Sequence, residues 1–207
     1  MEFENIIEYE NKITFNFKGK INTAKKLLDI IIGRIPTMAI DIVEIETNTS
    51  STQDEILTQR LALTPIFKSK SDLEKYSFFD KCECSIDDEL NKCEKCSIEF
   101  FLDFSNSGED DLYILSDNLT PKNMLIKSII ICILPSNSKI KDKNKIKLKA
   151  YAKKGIGSVN SKWSAVGTSW YSINENGTFL FTVEPVGSLK GRDILDIAKE
   201  ILKNELN

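Results

Sequence analysis

The sequence predicts an α+β fold in which the two ends of the chain form one α/β unit and a β-rich middle interrupts it as an insert. Three observations predict this. Short apolar–polar alternations of strand length recur along the chain. Two helical stripes lie near the ends, at about 22–34 and from 187 to about 206. Four of the five cysteines fall between Cys82 and Cys96, inside the β-rich middle.

Taken in order, Lys12–Lys18 alternates with Ile13, Phe15 and Phe17 on one face, a half-buried strand ended by Gly19. Asn22 is read as the N-cap of a first helix. Its apolar stripe is Ala24, Leu27, Leu28 and Ile31, widened by Ile30 and Ile32. Two readings are open for that width: packing on the chain's own sheet, or burial on two sides with a partner chain on one. Met38–Glu46 reads as a strand, and Thr52 with Glu55 as a capping box for a short helix ending before Pro65. Residues 66–81 read as a polar connection. Strands follow at 98–104, 112–115, 126–134 and 146–152, the last with one wet face carrying Lys147, Lys149 and Tyr151. A glycine-bearing loop around Trp163 leads to a strand pair at 168–173 and 179–183. The final helix has the stripe Ile194, Ile197, Ala198 and Ile201.

Composition narrows the function classes. The chain has 207 residues, 41% of them hydrophobic, which is enough to bury a core. Its net charge is only −3, so a surface that neutralises phosphates is not the expectation, and little or no direct nucleic-acid contact is read. The N-terminal stretch is acidic and polar, and no apolar run approaches the roughly twenty residues of a membrane span. The expectation is a soluble, intracellular protein without a membrane partner. Histidine is absent, which removes the commonest general base and every Ser-His or Cys-His pairing. There is no glycine-rich phosphate loop and no standout carboxylate pair. These absences speak against a catalytic role.

The cysteines are spaced Cys82-x-Cys84, eight residues, then Cys93-x-x-Cys96. Two close pairs on a short loop can bring four thiolates to one point, and zinc takes four sulfurs tetrahedrally in closed, structural sites. The second pair has the usual ligand spacing and the first is tighter. The alternatives are a disulfide pair or small buried residues; disulfides need an oxidising compartment, and nothing here suggests secretion. The ligand type favours zinc over an iron–sulfur cluster. Acidic Asp87, Asp88 and Glu89 are expected to stay in water between the pairs. Cys132, in an apolar run, reads as a buried free thiol.

Five stretches then resemble a known family. They are IPTMAIDIVEIETNTSSTQDEILTQRLALTPI (Ile35–Ile66), CECSIDDELNKCEKCSIEF (Cys82–Phe100), LYILSDNL (Leu112–Leu119), YAKKGIGSVNSKWSAVG (Tyr151–Gly167) and FLFTVEPVGSL (Phe179–Leu189). In this order they resemble the third-largest subunit of eukaryotic RNA polymerase II, with its archaeal counterpart and the bacterial alpha amino-terminal domain. The resemblance implies a split, alpha-subunit-like dimerisation domain at 1–36 and 154–207. It implies an insert domain at 37–153 carrying the four-cysteine loop 82–96.

It further implies a non-catalytic assembly subunit of a multisubunit DNA-directed RNA polymerase. A heterodimer forms with a smaller, eleventh-subunit-like partner and recruits the second-largest and largest subunits; small zinc-binding subunits complete the surroundings. The implied metal ligands for structural Zn²⁺ are Cys82, Cys84, Cys93 and Cys96. The implied dimer interface is Ala24, Leu27, Leu28 and Ile31 with Ile194, Ile197, Ala198 and Ile201, and the implied subunit-contact loop is Lys162–Trp163. Leu28 and Asp29 stand where relatives carry an Arg pair, and Gln59 and Asn160 where histidines are common, so those contacts are not carried over. The short length and the Lys/Asn/Ile bias also fit a viral polymerase, placing the chain in the nucleus, or in cytoplasm or virion if viral. The rival readings are a free-standing zinc-stabilised adaptor and, against the closed all-cysteine site, a metalloenzyme.

Overall fold

The computed structural model describes residues 2–86, 92–121, 128–136 and 144–206. In chain order its strands and helices begin with β1 (Glu2–Glu8), β2 (Ile13–Lys18), α1 (Ile21–Gly33), β3 (Pro36–Asn48), α2 (Asp54–Ala62) and α3 (Lys70–Leu73). They continue with β4 (Ser97–Ser105), β5 (Leu112–Leu115), β6 (Ile130–Leu134), β7 (Lys145–Ile156), β8 (Val166–Ile173), β9 (Phe179–Pro185) and α4 (Gly191–Leu206). Asp87, Asp88, Glu89, the first residues of the expected strand at 126–134 and the middle of the loop at 135–145 lie outside the described residues. The chain divides into two compact units: Met1–Thr37 with Phe67–Glu74 and Gly155–Asn207, and Met38–Ile66 with Lys75–Lys154.

In the first unit a four-stranded sheet has the order β1-β2-β9-β8, and the pairs β1–β2, β2–β9 and β8–β9 are all antiparallel. Period-two alternation puts Ile13, Phe15 and Phe17 of β2 on one face with Phe179, Phe181 and Val183 of β9. Phe15 and Phe181 stack with centroids 5.1 Å apart, and Phe17 meets Phe181 edge-on at 6.2 Å. Each ring contributes about 1.5–3 kcal/mol by burial. Helices α1 and α4 pack on each other; α1 also contacts β8, and α4 contacts β9. The β8–β9 turn closes through Gly177, whose φ of 77° is a conformation that side chains resist.

Two expected caps are corrected. Helix α1 begins at Ile21, because the Lys20 carbonyl accepts from the Thr23 and Ala24 amides at 3.0 Å, so Asn22 lies inside the helix. The Thr52–Glu55 box does not form; Gln53 is the N-cap of α2 and makes no side-chain cap. Asn48 organises the preceding turn instead. Its Nδ2 donates to the Asp54 carboxylate at 2.6 Å, and its Oδ1 accepts from the Ser50 amide at 3.0 Å. The connection expected at 66–81 contains α3, capped by the Ser69 hydroxyl, and a 3-10 turn at Phe79–Lys81. Strand β1 is an addition to the expected elements. Asn5, at φ 51°, breaks its alternation at a bulge between Glu4 and Ile7, so its pattern is not period two.

In the second unit a sheet has the order β3-β7-β4, with β4 and β7 antiparallel from Ser97↔Lys153 to Ser105↔Lys145. Ile98, Phe100 and Leu102 share a buried face with Ile146, Leu148, Ala150 and Ala152. The other face is charged at one end, where Lys147 pairs with Glu46, Lys145 with Asp103 and Lys149 with Glu99. A separate β5–β6 ribbon is packed by α2, whose Arg60 donates to the Ile131 carbonyl at 3.0 Å. Cys132 is a buried free thiol, as its apolar surroundings predict. No described helix is long and apolar enough to cross a membrane.

Candidate metal centre

The four clustered cysteines converge. All four Sγ atoms lie within 4.8 Å of one another. Cys82 and Cys93 are 3.5 Å apart, Cys84 and Cys96 3.5 Å, and Cys93 and Cys96 3.4 Å. A tetrahedral zinc with Zn–S of about 2.3 Å has sulfur–sulfur edges of about 3.8 Å, so the donor set fits such an ion after a small adjustment of its spacings. None of the four is in a disulfide.

Local backbone bonds build the constellation. The Cys93 carbonyl accepts from the Cys96 amide at 3.1 Å and the Ser97 amide at 2.9 Å, curling the second pair into a turn just before β4. The Ser97 hydroxyl adds a bond to the same carbonyl at 3.0 Å. On the first pair, short 3-10 turns at Phe79–Lys81 and Glu83–Ile86 flank Cys82. The Ser77 amide donates to the Lys95 carbonyl at 2.9 Å and joins the two arms.

The electrostatics suit a cation. Burial pushes the Cys93 thiol up, but hydrogen bonds from the thiols of Cys84, Cys96 and Cys82, and from the Lys95 backbone, bring it down to about 7. Cys84 is raised by its bond to Cys93 and by burial, and Cys96 is pushed well up by burial and its sulfur neighbours. Cys93 is thus the thiol of the group most readily ionised, while Cys84 and Cys96 are shifted the other way. A divalent cation held here would meet four sulfurs within 4.8 Å of one another, and four protein ligands would leave it no coordination position for a substrate.

Around this site lie residues that sequence reasoning missed. Lys92, next to Cys93, pairs with Glu44 of β3 and lies 4.7 Å over the Tyr151 ring. Tyr151 donates to Glu44 at 3.3 Å or Glu99 at 3.2 Å; burial and those two carboxylates push its hydroxyl up to about 12, so it stays protonated. Lys153 is only 4% exposed and faces Asp41 at 3.7 Å. The wet face expected for β7 therefore ends at Lys149. The lysine doublet Lys153–Lys154 at the end of an alternating strand is the sequence signal for this change, and by itself it looks like ordinary surface charge.

The other expected site residues are placed differently. Ala24, Leu27, Ile31, Ile194, Ile197 and Ala198 are buried within the chain, in the packing of α1 and α4 with their own sheet. Leu28 and Ile201 are half-buried, while Ile21, Ile32 and Leu206 are the exposed large apolar residues of these helices. Trp163 is buried as well. A Cβ on Gly155 would lie 2.3 Å from its ring, and its carbonyl accepts from the Thr37 hydroxyl at 2.7 Å. Lys162 lies 4.4 Å over the same ring and is half-buried.

Comparison with known proteins gives a consistent answer. No family model matches the chain. The RNA polymerase II subunit rpb3 of Dictyostelium discoideum is 32% identical over 160 residues, covering 74% of this chain and 51% of that protein. RPB3 of Schizosaccharomyces pombe is 33% identical over 149 residues, covering 68% and 48%. The RNA polymerase subunit Rpo3 of Methanocaldococcus jannaschii is 29% identical over 193 residues, covering 92% and 84%. The chain spans about half the length of the two eukaryotic relatives and most of this archaeal one. Similarity of this extent to proteins of both eukaryotes and archaea agrees with the five ordered stretches, and the chain belongs to the subunit 3 (Rpb3/Rpo3) family of DNA-directed RNA polymerases.

Proposed function

We propose that the chain is a non-catalytic assembly subunit of a multisubunit DNA-directed RNA polymerase. The observation that carries this reading is the similarity to polymerase subunit 3 proteins from eukaryotes and archaea across most of the chain. The absence of histidine and of a phosphate loop supports a role without chemistry of its own. Cys82, Cys84, Cys93 and Cys96 would hold a structural Zn²⁺, which cross-links the two arms of its loop when bound.

The partner reading puts a smaller, eleventh-subunit-like chain against α1 and α4, and this heterodimer then engages the second-largest and largest subunits. Since most of the expected interface residues are buried in the chain's own core, the side chains offered to the partner are Ile21, Leu28 and Ile32 of α1 with Ile201 and Leu206 of α4. The reading places the Lys162–Trp163 loop, in which the Lys162 ammonium lies over the buried Trp163 ring, at a further subunit contact.

Co-expression with the small subunit of the same polymerase, followed by gel filtration, tests the interface. Ile32→Asp is expected to abolish the heterodimer while the variant stays folded, because a carboxylate forced into an apolar interface without a partner is costly. Leu27→Asp is expected to unfold the first unit instead, because Leu27 is buried within it. An intact heterodimer with Ile32→Asp would move the interface away from this face of α1.

A further inference from the structure

Both arms of the four-thiol site are gripped by the same short piece of β7. On the N-terminal arm, the Lys153 ammonium lies 5.2 Å from the centroid of the Phe79 ring and the Lys154 ammonium 5.1 Å from that of Phe78. Lys154 also donates to the Tyr76 carbonyl at 3.0 Å. On the C-terminal arm the polarity is reversed: β7 supplies the ring, and Lys92 lies over Tyr151. Phe79 stands three residues before Cys82, and Lys92 is adjacent to Cys93. Among the residues described between 75 and 96, Cys82 and Cys96 alone are buried, so the arms hold little apolar anchorage of their own.

We infer that Tyr151, Lys153 and Lys154 of β7 form a clamp that holds both arms in ligand geometry before the metal arrives. Metal retention then depends on residues that ligate nothing. The inference rests on the metal reading above for its consequence, while the contacts of the clamp involve none of the four sulfurs. Its physical logic is preorganisation. Closing a flexible loop onto an ion costs chain entropy, and ring–cation contacts that close it beforehand lower the cost at the moment of binding. Partners outside the ligand shell commonly change metal affinity by about 10–100-fold when removed.

The test uses Lys154→Met and Tyr151→Leu, singly and together, in the full chain. Lys153 is left intact because its removal would take the cation from beside Asp41. Two rates are read. One is iodoacetamide alkylation of the four thiols in metal-free protein; the other is release of bound Co²⁺ to a chelator, followed by thiolate-to-cobalt absorption. Each single variant is expected to speed alkylation roughly threefold, and the double roughly tenfold, with Co²⁺ release faster by about tenfold or more. Lys154→Arg, which keeps a cation over Phe78, is expected to restore the parent rates. Unchanged alkylation in the double variant would overturn the clamp, as would equal effects of Arg and Met at 154. Loss of amide protection throughout β4 and β7 would also overturn it, because the residues would then serve the sheet and not the arms. If the parent takes up no Co²⁺ while the double variant still alkylates faster, the clamp stands and the metal reading falls.

Discussion

In the first unit, Phe15, Phe17 and Phe181 are fully buried in a ring cluster that β2 and β9 build by simple alternation. In the second, the arms around Cys82 and Cys93 contribute two buried cysteines and otherwise lie at the surface among charges. One region is held by apolar area removed from water, the other by sulfur, cations and rings. Burial of the first kind is non-directional and tolerates some rearrangement. Bonds of the second kind depend on direction and on charge, so they respond to pH and salt, and would respond to a metal held by the four thiols. Two parts of one chain thereby acquire separate sensitivities.

Loss of the proposed metal ligands is expected to expose the contrast most strongly. Cys93→Ser with Cys96→Ser is expected to abolish stoichiometric metal binding, a contribution of about 10–16 kcal/mol in small zinc modules near neutral pH. Hydrogen exchange should then quicken at Tyr76–Lys81 and Lys92–Ser97 while the β2–β9 ladder keeps its protection. Retained metal in that double variant would rule out the ligand assignment. The converse variant is Phe15→Ala, expected to cost about 3–5 kcal/mol in thermal or denaturant unfolding of the first unit, with Co²⁺ absorption of the second unit unchanged below the transition. A shift in the cobalt spectrum with Phe15→Ala would show that the two regions are not separable.

The smallest effect concerns charge within the first unit. Glu205 pairs with Lys26 at 2.8 Å and with Arg34. The hydrogen bond from Lys26 lowers its carboxyl below the ordinary value, burial opposes this, and Arg34 lowers it further. A carboxylate with a depressed folded value adds stability that is present above its unfolded value and is lost as pH falls through the folded one. Glu205→Gln should therefore lower the melting temperature slightly at neutral pH, and the difference should vanish below the ordinary carboxylate range. A difference independent of pH would assign the loss to packing.

The same contrast decides what can be read from sequence. The aromatic sheet is legible because Ile13, Phe15, Phe17, Phe179, Phe181 and Val183 repeat at period two. The four thiols are legible because two close cysteine pairs on one short loop already carry the spacing of a ligand set. Strand β1 is not, since the bulge around Asn5 breaks its alternation. The cap of α1 escapes because Lys20 caps through its backbone, which leaves no side-chain signature. The buried roles of Tyr151 and Lys153 escape for a different reason. Their burial comes from arms far away in sequence that fold over one end of β7, and no local pattern reports that. The wide apolar stripe of α1 is visible in the sequence, yet periodicity alone cannot say whether sheet or partner covers each side. The structure buries Leu27 and Ile31 internally and leaves Ile32 exposed.

The most direct test of the assembly role is mass spectrometry of what co-purifies with the tagged chain from its natural source. The expected result is stoichiometric recovery of two very large polymerase subunits together with a small helical partner. Recovery of the chain alone, or with partners unrelated to transcription, would contradict that role and would make this a polymerase-subunit fold reused as a free-standing adaptor.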